Sequence, residues 1–236
     1  MQFVTVKCSR FAKLALAIIA IVTLSQFAAA QLLLDDFSTG KYEKSLKSGT
    51  DTNTQSGTMI GGNRETEFFV CPPGPCGSYN LFAQPASFQV RPKTKTTSSA
   101  LIQSAGYKVS PRLDVFYGSS APLNLDLSSL YDRFRLTFDG SDLGVNFNIL
   151  VWTGGLYSQT GCNIDASITS FTIDFPFANF TPGQGTPGAD FSDLTLMDFI
   201  FQSDSGIGGN SWAVTSFQAI PIGAPPGNIT CAGLGK

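Results

Sequence analysis

Trp152 follows Asn146 and Asn148 at even spacing, and Tyr157 comes five residues later, beyond Thr153-Gly154-Gly155. In a strand, alternate side chains share a face. Asn146, Asn148 and Trp152 then project together with Leu150, while Val145, Phe147, Ile149 and Val151 turn the other way into a core. A ring beside amides is the chemistry of sugar binding: the ring stacks on the apolar face of a pyranose, and the amides take its hydroxyls. The plainer alternative packs Trp152 at the end of a core strand and leaves the asparagines to solvent.

Carboxylates offer two further chemistries. Asp35-Asp36 stands at the start of the first strand-like run, where carboxylates and nearby carbonyls could supply the six to eight oxygens that Ca²⁺ takes. Asp139-Gly-Ser-Asp142 is a second such pair, without the acidic density of an EF-hand. Glycosidases need two acids flanking one bond. The chain has only three Glu, and Glu65 and Glu67 share one face of a strand beside Arg64, which reads more simply as a surface pair. Tyr107, Arg112 and Tyr117 are of the types that polysaccharide lyases use, but their spacing does not bring them together. The absence of His excludes a Ser-His-Asp triad, a Cys-His pair and His-ligated zinc. Gly206–Asn210 lacks the Lys and the helix of a phosphate loop. A net charge of −2 gives no footprint for nucleic acid. The chain reads as non-enzymatic.

Residues 1–30 carry Lys7, Arg10 and Lys13 without an acid, then the apolar run Leu14–Leu24, then Ala28-Ala29-Ala30. This is the pattern of a signal peptide cut before Gln31. The apolar run is too short to span a bilayer, and no membrane span is expected after cleavage. Export to the extracellular space or the periplasm follows. Cys8 leaves with the signal. Cys71, Cys76, Cys162 and Cys231 remain, an even number in an oxidising compartment. Cys71-Pro-Pro-Gly-Pro-Cys76 is a turn whose ends can meet, which leaves Cys162 for Cys231. Zinc ligation fits this spacing poorly.

The elements around these residues are short. Only 14% of the chain is charged against a usual figure of about 25%, and Phe, Gly and Pro are frequent. No window holds a helical period. Strand-like runs fall at Leu32–Phe37, Thr58–Gly62, Arg64–Val70, Ser87–Arg91, Ser99–Ser104, Arg112–Tyr117, Arg133–Phe138, Val145–Trp152, Ile168–Phe175, Leu194–Gln202 and Trp212–Ile220. About ten antiparallel strands at this spacing make an all-β jelly-roll sandwich over 31–222, with a Pro/Gly-rich tail at 223–236. Asp139-Gly140 marks a hairpin turn. Ser38–Gly57, Thr181–Gly188 and the tail are expected to be the least regular parts. Trp212 and most Phe belong to the core. The sequons at Asn179 and Asn228 are not expected to carry glycan.

Six short motifs follow one another along the chain: Leu34-Asp-Asp-Phe-Ser38, Met59-Ile-Gly-Gly-Asn-Arg-Glu65, Tyr131-Asp-Arg-Phe-Arg-Leu136, Phe175-Pro-Phe-Ala-Asn-Phe180, Phe191-Ser-Asp-Leu194 and Phe217-Gln-Ala-Ile220. Their order resembles secreted bacterial jelly-roll proteins of the PEP-CTERM-associated type, whose fold is similar to galactose-binding-like and carbohydrate-binding modules. The resemblance covers most of 32–220. It implies a jelly roll, one structural Ca²⁺ near the chain ends at Asp35 and Asp36, and weak binding of extracellular polysaccharide or matrix. The chain closes at Lys236 without the Pro-Glu-Pro motif of a sorting tail, so free secretion is expected rather than anchoring. A structural or adhesive surface protein and a polysaccharide-active enzyme are the competing roles.

Overall fold

The computed structural model describes residues 30–71, 84–106, 109–203 and 210–231. In chain order the strands are β1 (Leu32–Asp35), β2 (Tyr42–Leu46), β3 (Gly49–Ser56), β4 (Asn63–Cys71), β5 (Ala86–Arg91), β6 (Ala100–Ser104), β7 (Ser110–Tyr117), β8 (Tyr131–Ser141), β9 (Val145–Thr153), β10 (Leu156–Ile164), β11 (Phe171–Pro176), β12 (Thr181–Pro182), β13 (Leu196–Ser203), β14 (Ser211–Pro221) and β15 (Ile229–Thr230). They form an all-β sandwich. One sheet runs β15-β11-β8-β14-β6-β5-β2, with β1 also on β14, and the other runs β12-β10-β9-β13-β7-β4-β3. Every pairing is antiparallel except that of β11 with β15. The described residues include no α-helix, and the only helical turns are 3₁₀ turns at Ile60–Gly62 and Phe177–Asn179.

Period-two alternation builds the core. On β9, Val145, Phe147, Ile149 and Val151 are buried while the residues between them are partly exposed. Rings then cross between the sheets: Phe199 of β13 stacks on Phe217 of β14 with centroids 4.4 Å apart, and Phe201 stacks on Trp212 at 4.3 Å. Trp212 is structural, as its sequence position suggests.

Several expectations are corrected. Arg133–Phe138 and Val145–Trp152 do not form a hairpin. They lie in different sheets, because each has an apolar face that must meet the core from opposite sides. Asp139 and Gly140 sit inside β8, at a bulge against β14, and the chain crosses at residues 142–144. The hairpin partner of β9 is β10, across Gly154-Gly155. Leu156–Ile164 shows little apolar alternation, which is why it escapes a hydrophobic pattern. Ser38–Gly57 holds β2 and β3, the edge strands of the two sheets. Edge strands tolerate polar sequences, and the Thr repeat of β3 suits an extended chain. Thr58–Gly62 is not a strand: Gly61 and Gly62 have positive φ and close a 3₁₀ turn.

The segment after Gly223 is fastened to the eight-stranded sheet as far as Cys231. Arg133 Nη2 donates to the carbonyls of Ala224 (2.7 Å) and Pro225 (3.0 Å), the Gly227 amide donates to Asp174 Oδ2 (2.7 Å), and the Cys231 amide donates to the Asp174 carbonyl (2.8 Å). The expected bridge Cys162–Cys231 is present, with Cα atoms 5.9 Å apart, and ties β10 of the other sheet to this segment. Cys71 is also disulfide-bonded; Cys76, its expected partner, lies outside the described residues.

Candidate functional site

The register of the seven-stranded sheet defines its outer face row by row. Tyr157 of β10 pairs with Trp152 of β9, which pairs with Leu196 of β13. The next row is Gln159, Leu150, Asp198, Phe116 and Glu65. Then come Gly161, Asn148, Ile200, Asp114 and Glu67, followed by Asn163, Asn146, Gln202, Arg112 and Phe69. The sequence-predicted residues Asn146, Asn148, Trp152 and Tyr157 therefore share this face, outside the core.

Trp152 and Tyr157 stand side by side, centroids 6.2 Å apart and planes inclined by 36°. A glycine sets the position of the tyrosine. A Cβ at Gly183 would lie 2.3 Å from the Tyr157 ring, so only glycine lets the chain beyond β12 pass that close. A second glycine shapes the amide row. A Cβ at Gly161 would lie 2.2 Å from Asn148 Oδ1, so the asparagine lies over the bare backbone opposite it. Asn148 Nδ2 donates to Asn146 Oδ1 (2.8 Å), and Asn146 Nδ2 donates to Asn163 Oδ1 (2.9 Å). This ladder fixes three amides in advance. Its two ends, the Asn148 carbonyl and the Asn163 amide nitrogen, have no partner among the described residues.

Beside this row lies a charged group that strand patterning alone does not reveal. Arg112 grips Asp114 with two hydrogen bonds, Nε to Oδ1 at 2.7 Å and Nη2 to Oδ2 at 2.6 Å. Asp198 sits within an apolar ring: Leu196 and Ile200 are its outward neighbours on β13, and Leu150 and Phe116 face it across the strands. It is only 4% exposed, and its Oδ1 has no hydrogen-bond partner. Burial pushes its carboxyl up to about 8, and the neighbouring Asp114 adds to this; Arg112 opposes it. Burial likewise raises Asp114, against the pull of Arg112. A signal for both acids does exist in the sequence. Leu113-Asp-Val-Phe116 and Met197-Asp-Phe-Ile200 each set one Asp inside an apolar strand run, at an outward position.

Asp35 lies in the interior. Its carboxylate pairs with the fully buried guanidinium of Arg64, accepts from the Tyr117 hydroxyl (2.7 Å) and accepts the Phe37 amide (2.7 Å). Arg64 in turn donates to Gln55 Oε1 (2.8 Å). The carboxylate expected to hold Ca²⁺ thus already faces a cation, and a second one there would meet the guanidinium's charge. Asp36 accepts the Ser38 amide (2.9 Å). Asp139 accepts from Ser170, and Asp142 from the Ser211 amide. Among the described residues, no three Cys, Asp or Glu side chains are grouped to hold a metal ion. Arg112 and Tyr117 point to opposite faces of β7, outward and inward; Tyr107 lies outside the described residues, as do residues 206–209 of the glycine-rich turn. The Asn179 side chain donates to the Cys231 carbonyl (2.9 Å), and Asn228 Oδ1 accepts from Thr172.

No family profile and no curated protein matches the chain. Solved structures do. The family 11 carbohydrate-binding module of a cellulosomal cellulase of Clostridium thermocellum aligns at 13% identity, covering 82% of this chain and 96% of that one, with a TM-score of 0.41. The module from the same organism in complex with a β-1,3-1,4-mixed-linked tetrasaccharide aligns at 14% over 82% and 96%, with a TM-score of 0.38. An exo-β-agarase aligns at 12% identity over 85% of this chain and 26% of its own, with a TM-score of 0.41.

Proposed function

We propose that this protein is exported and binds extracellular polysaccharide or glycan-rich matrix through the outer face of its seven-stranded sheet. The observation that carries this reading is the tilted Trp152–Tyr157 pair on the same face as the pre-ordered ladder of Asn148, Asn146 and Asn163. Aromatic surface next to fixed amides matches the amphipathic surface of a sugar: ring against C–H face, amide against hydroxyl. Holding the amides before the ligand arrives lowers the entropy lost on binding.

Binding without catalysis is part of the proposal. Hydrolysis of a glycoside needs two free carboxyl groups flanking one bond. Asp114 is held by Arg112, Glu65 and Glu67 are consecutive outward positions of a single strand, and Asp198, sunk among apolar side chains, is separated from Glu65 in its own row by Phe116. Export rests on the basic start, the apolar run and Ala28-Ala29-Ala30, with cleavage before Gln31. Kinship with the PEP-CTERM-associated secreted proteins belongs to the same proposal. The test is a glycan-array screen of the purified protein. The reading expects retention on one or a few polysaccharides at micromolar to millimolar strength. Signal indistinguishable from a blank across plant, algal and bacterial glycans refutes it.

A further inference from the structure

We infer that this face is selective for uncharged glycans, and that Asp198 is the residue that reads a sugar hydroxyl between the aromatic pair and the asparagine ladder. The inference rests on the proposed glycan-binding role of the face and sharpens its ligand class. It starts from the register. Asp198 lies opposite Leu150 on β9, so its diagonal neighbours there are Trp152 and Asn148; on β7 it lies opposite Phe116, diagonal to Asp114. It is the polar group where the stacking surface meets the amide row.

Two observations meet at that position. Asp198 is more than nine-tenths buried, yet its Oδ1 has no partner. A buried oxygen without a hydrogen bond is destabilising, and the partner that relieves it has to be a small group that can both donate and accept, able to enter among Leu150, Phe116, Leu196 and Ile200. A sugar hydroxyl is such a group, and its own ring then falls toward Trp152. An ammonium group has no acceptor to offer a protonated carboxyl and would enter this apolar ring with its full charge.

The second observation is the charge around it. Among the described residues of this face, β4 contributes Glu65 and Glu67, β7 contributes Asp114 and Arg112, β13 contributes Asp198, β10 contributes the phenol of Tyr157, and β9 contributes no titratable group. Arg112 is the single cation, and Asp114 occupies both its Nε and one of its terminal nitrogens. A uronate or sulfate ester would bring negative charge to carboxylates with no free guanidinium to receive it. Electrostatics of this kind reject the wrong ligand rather than tighten the right one.

The experiment is affinity electrophoresis of the full mature protein at low salt. The uncharged gels contain mixed-linked β-glucan, xyloglucan or agarose; the anionic gels contain alginate, polygalacturonate or carrageenan. The inference expects retardation in an uncharged gel and none in the anionic ones. Asp198→Leu should weaken retention by about tenfold, the loss of one ligand hydrogen bond. Asp198→Asn, which keeps a hydrogen-bonding group of the same shape, should stay within a few fold, with melting temperature monitored for both. Equal or stronger retardation by anionic glycans, or unchanged retention of Asp198→Leu, overturns the inference and leaves the glycan-binding reading standing. No retardation in any gel overturns both.

Discussion

Asp174 and Asp198 occupy equivalent places in the two sheets. Each is nearly fully buried, and each projects from the outer face of an interior strand. Their surroundings are opposite. Asp174 accepts from Arg135 at 2.6 and 2.8 Å, lies 3.0 Å from Arg133 Nε and receives the Gly227 amide, under a chain segment that the Cys162–Cys231 bridge holds in place. Asp198 faces Leu150, Leu196, Ile200 and Phe116, and one of its oxygens has no partner. A buried carboxylate that serves stability is saturated with donors. A carboxyl left unsaturated on a face with aromatics and amides is held ready for a hydrogen-bonding partner from outside.

The largest effect expected from this contrast is on folding. Asp174→Ala leaves two guanidiniums facing each other under the C-terminal segment and should cost about 3–5 kcal/mol. Asp198→Leu fills an apolar ring and should be neutral or stabilising. Urea denaturation of the two variants checks this, and equal losses for both would erase the distinction. Cys231→Ser removes the bridge that secures the covered face, and the chain-entropy account of a loop closed across 69 residues gives about 4 kcal/mol, read from the same transitions.

A smaller effect is the pH dependence. The Asp198 carboxyl titrates near 3.8 in the unfolded chain and at about 8 in the folded one. The folded state therefore binds the proton more tightly, and the stability it contributes is complete below pH 3.8 and is lost progressively as pH rises toward 8. Asp198→Asn abolishes this component. The difference in melting temperature between wild type and Asp198→Asn should move in the variant's favour from pH 4 to pH 8 and then level off. A difference that stays flat across that range contradicts the buried, neutral carboxyl.

How much of this was legible in the sequence depends on what each residue type signals. The outward row Asn146, Asn148, Trp152 was readable because β9 alternates cleanly with Val and Phe on its other face. Its partner strand was not: Leu156–Ile164 pairs along its full length with β9, yet Ser158 and Thr160 fill inward positions where a pattern search expects apolar residues. The Asp139-Gly140 turn signal misled because a bulge calls for the same residues as a hairpin. Asp35 reads from the sequence as a candidate Ca²⁺ ligand, and nothing local announces its pairing with the buried Arg64, a contact made across 29 residues. Asp198 and Asp114 escaped the sequence reading: each is a lone acid in an apolar run, and their proximity depends on the order of β7 and β13 in the sheet, which comes only from the fold.

The central claim is that Trp152 serves a ligand and Trp212 serves the core. Trp212 is 2% exposed and stacked on Phe201; Trp152 stands on the outer face beside Tyr157. The direct measurement pairs thermal melts with retention in a gel containing the glycan that the wild type binds, for Trp152→Ala and Trp212→Ala. Trp212→Ala should lose about 3–5 kcal/mol of stability. Trp152→Ala should lose far less and yet migrate as freely in the glycan gel as in a blank one. A Trp152→Ala protein that is retained like the wild type, or that melts as early as Trp212→Ala, contradicts the account.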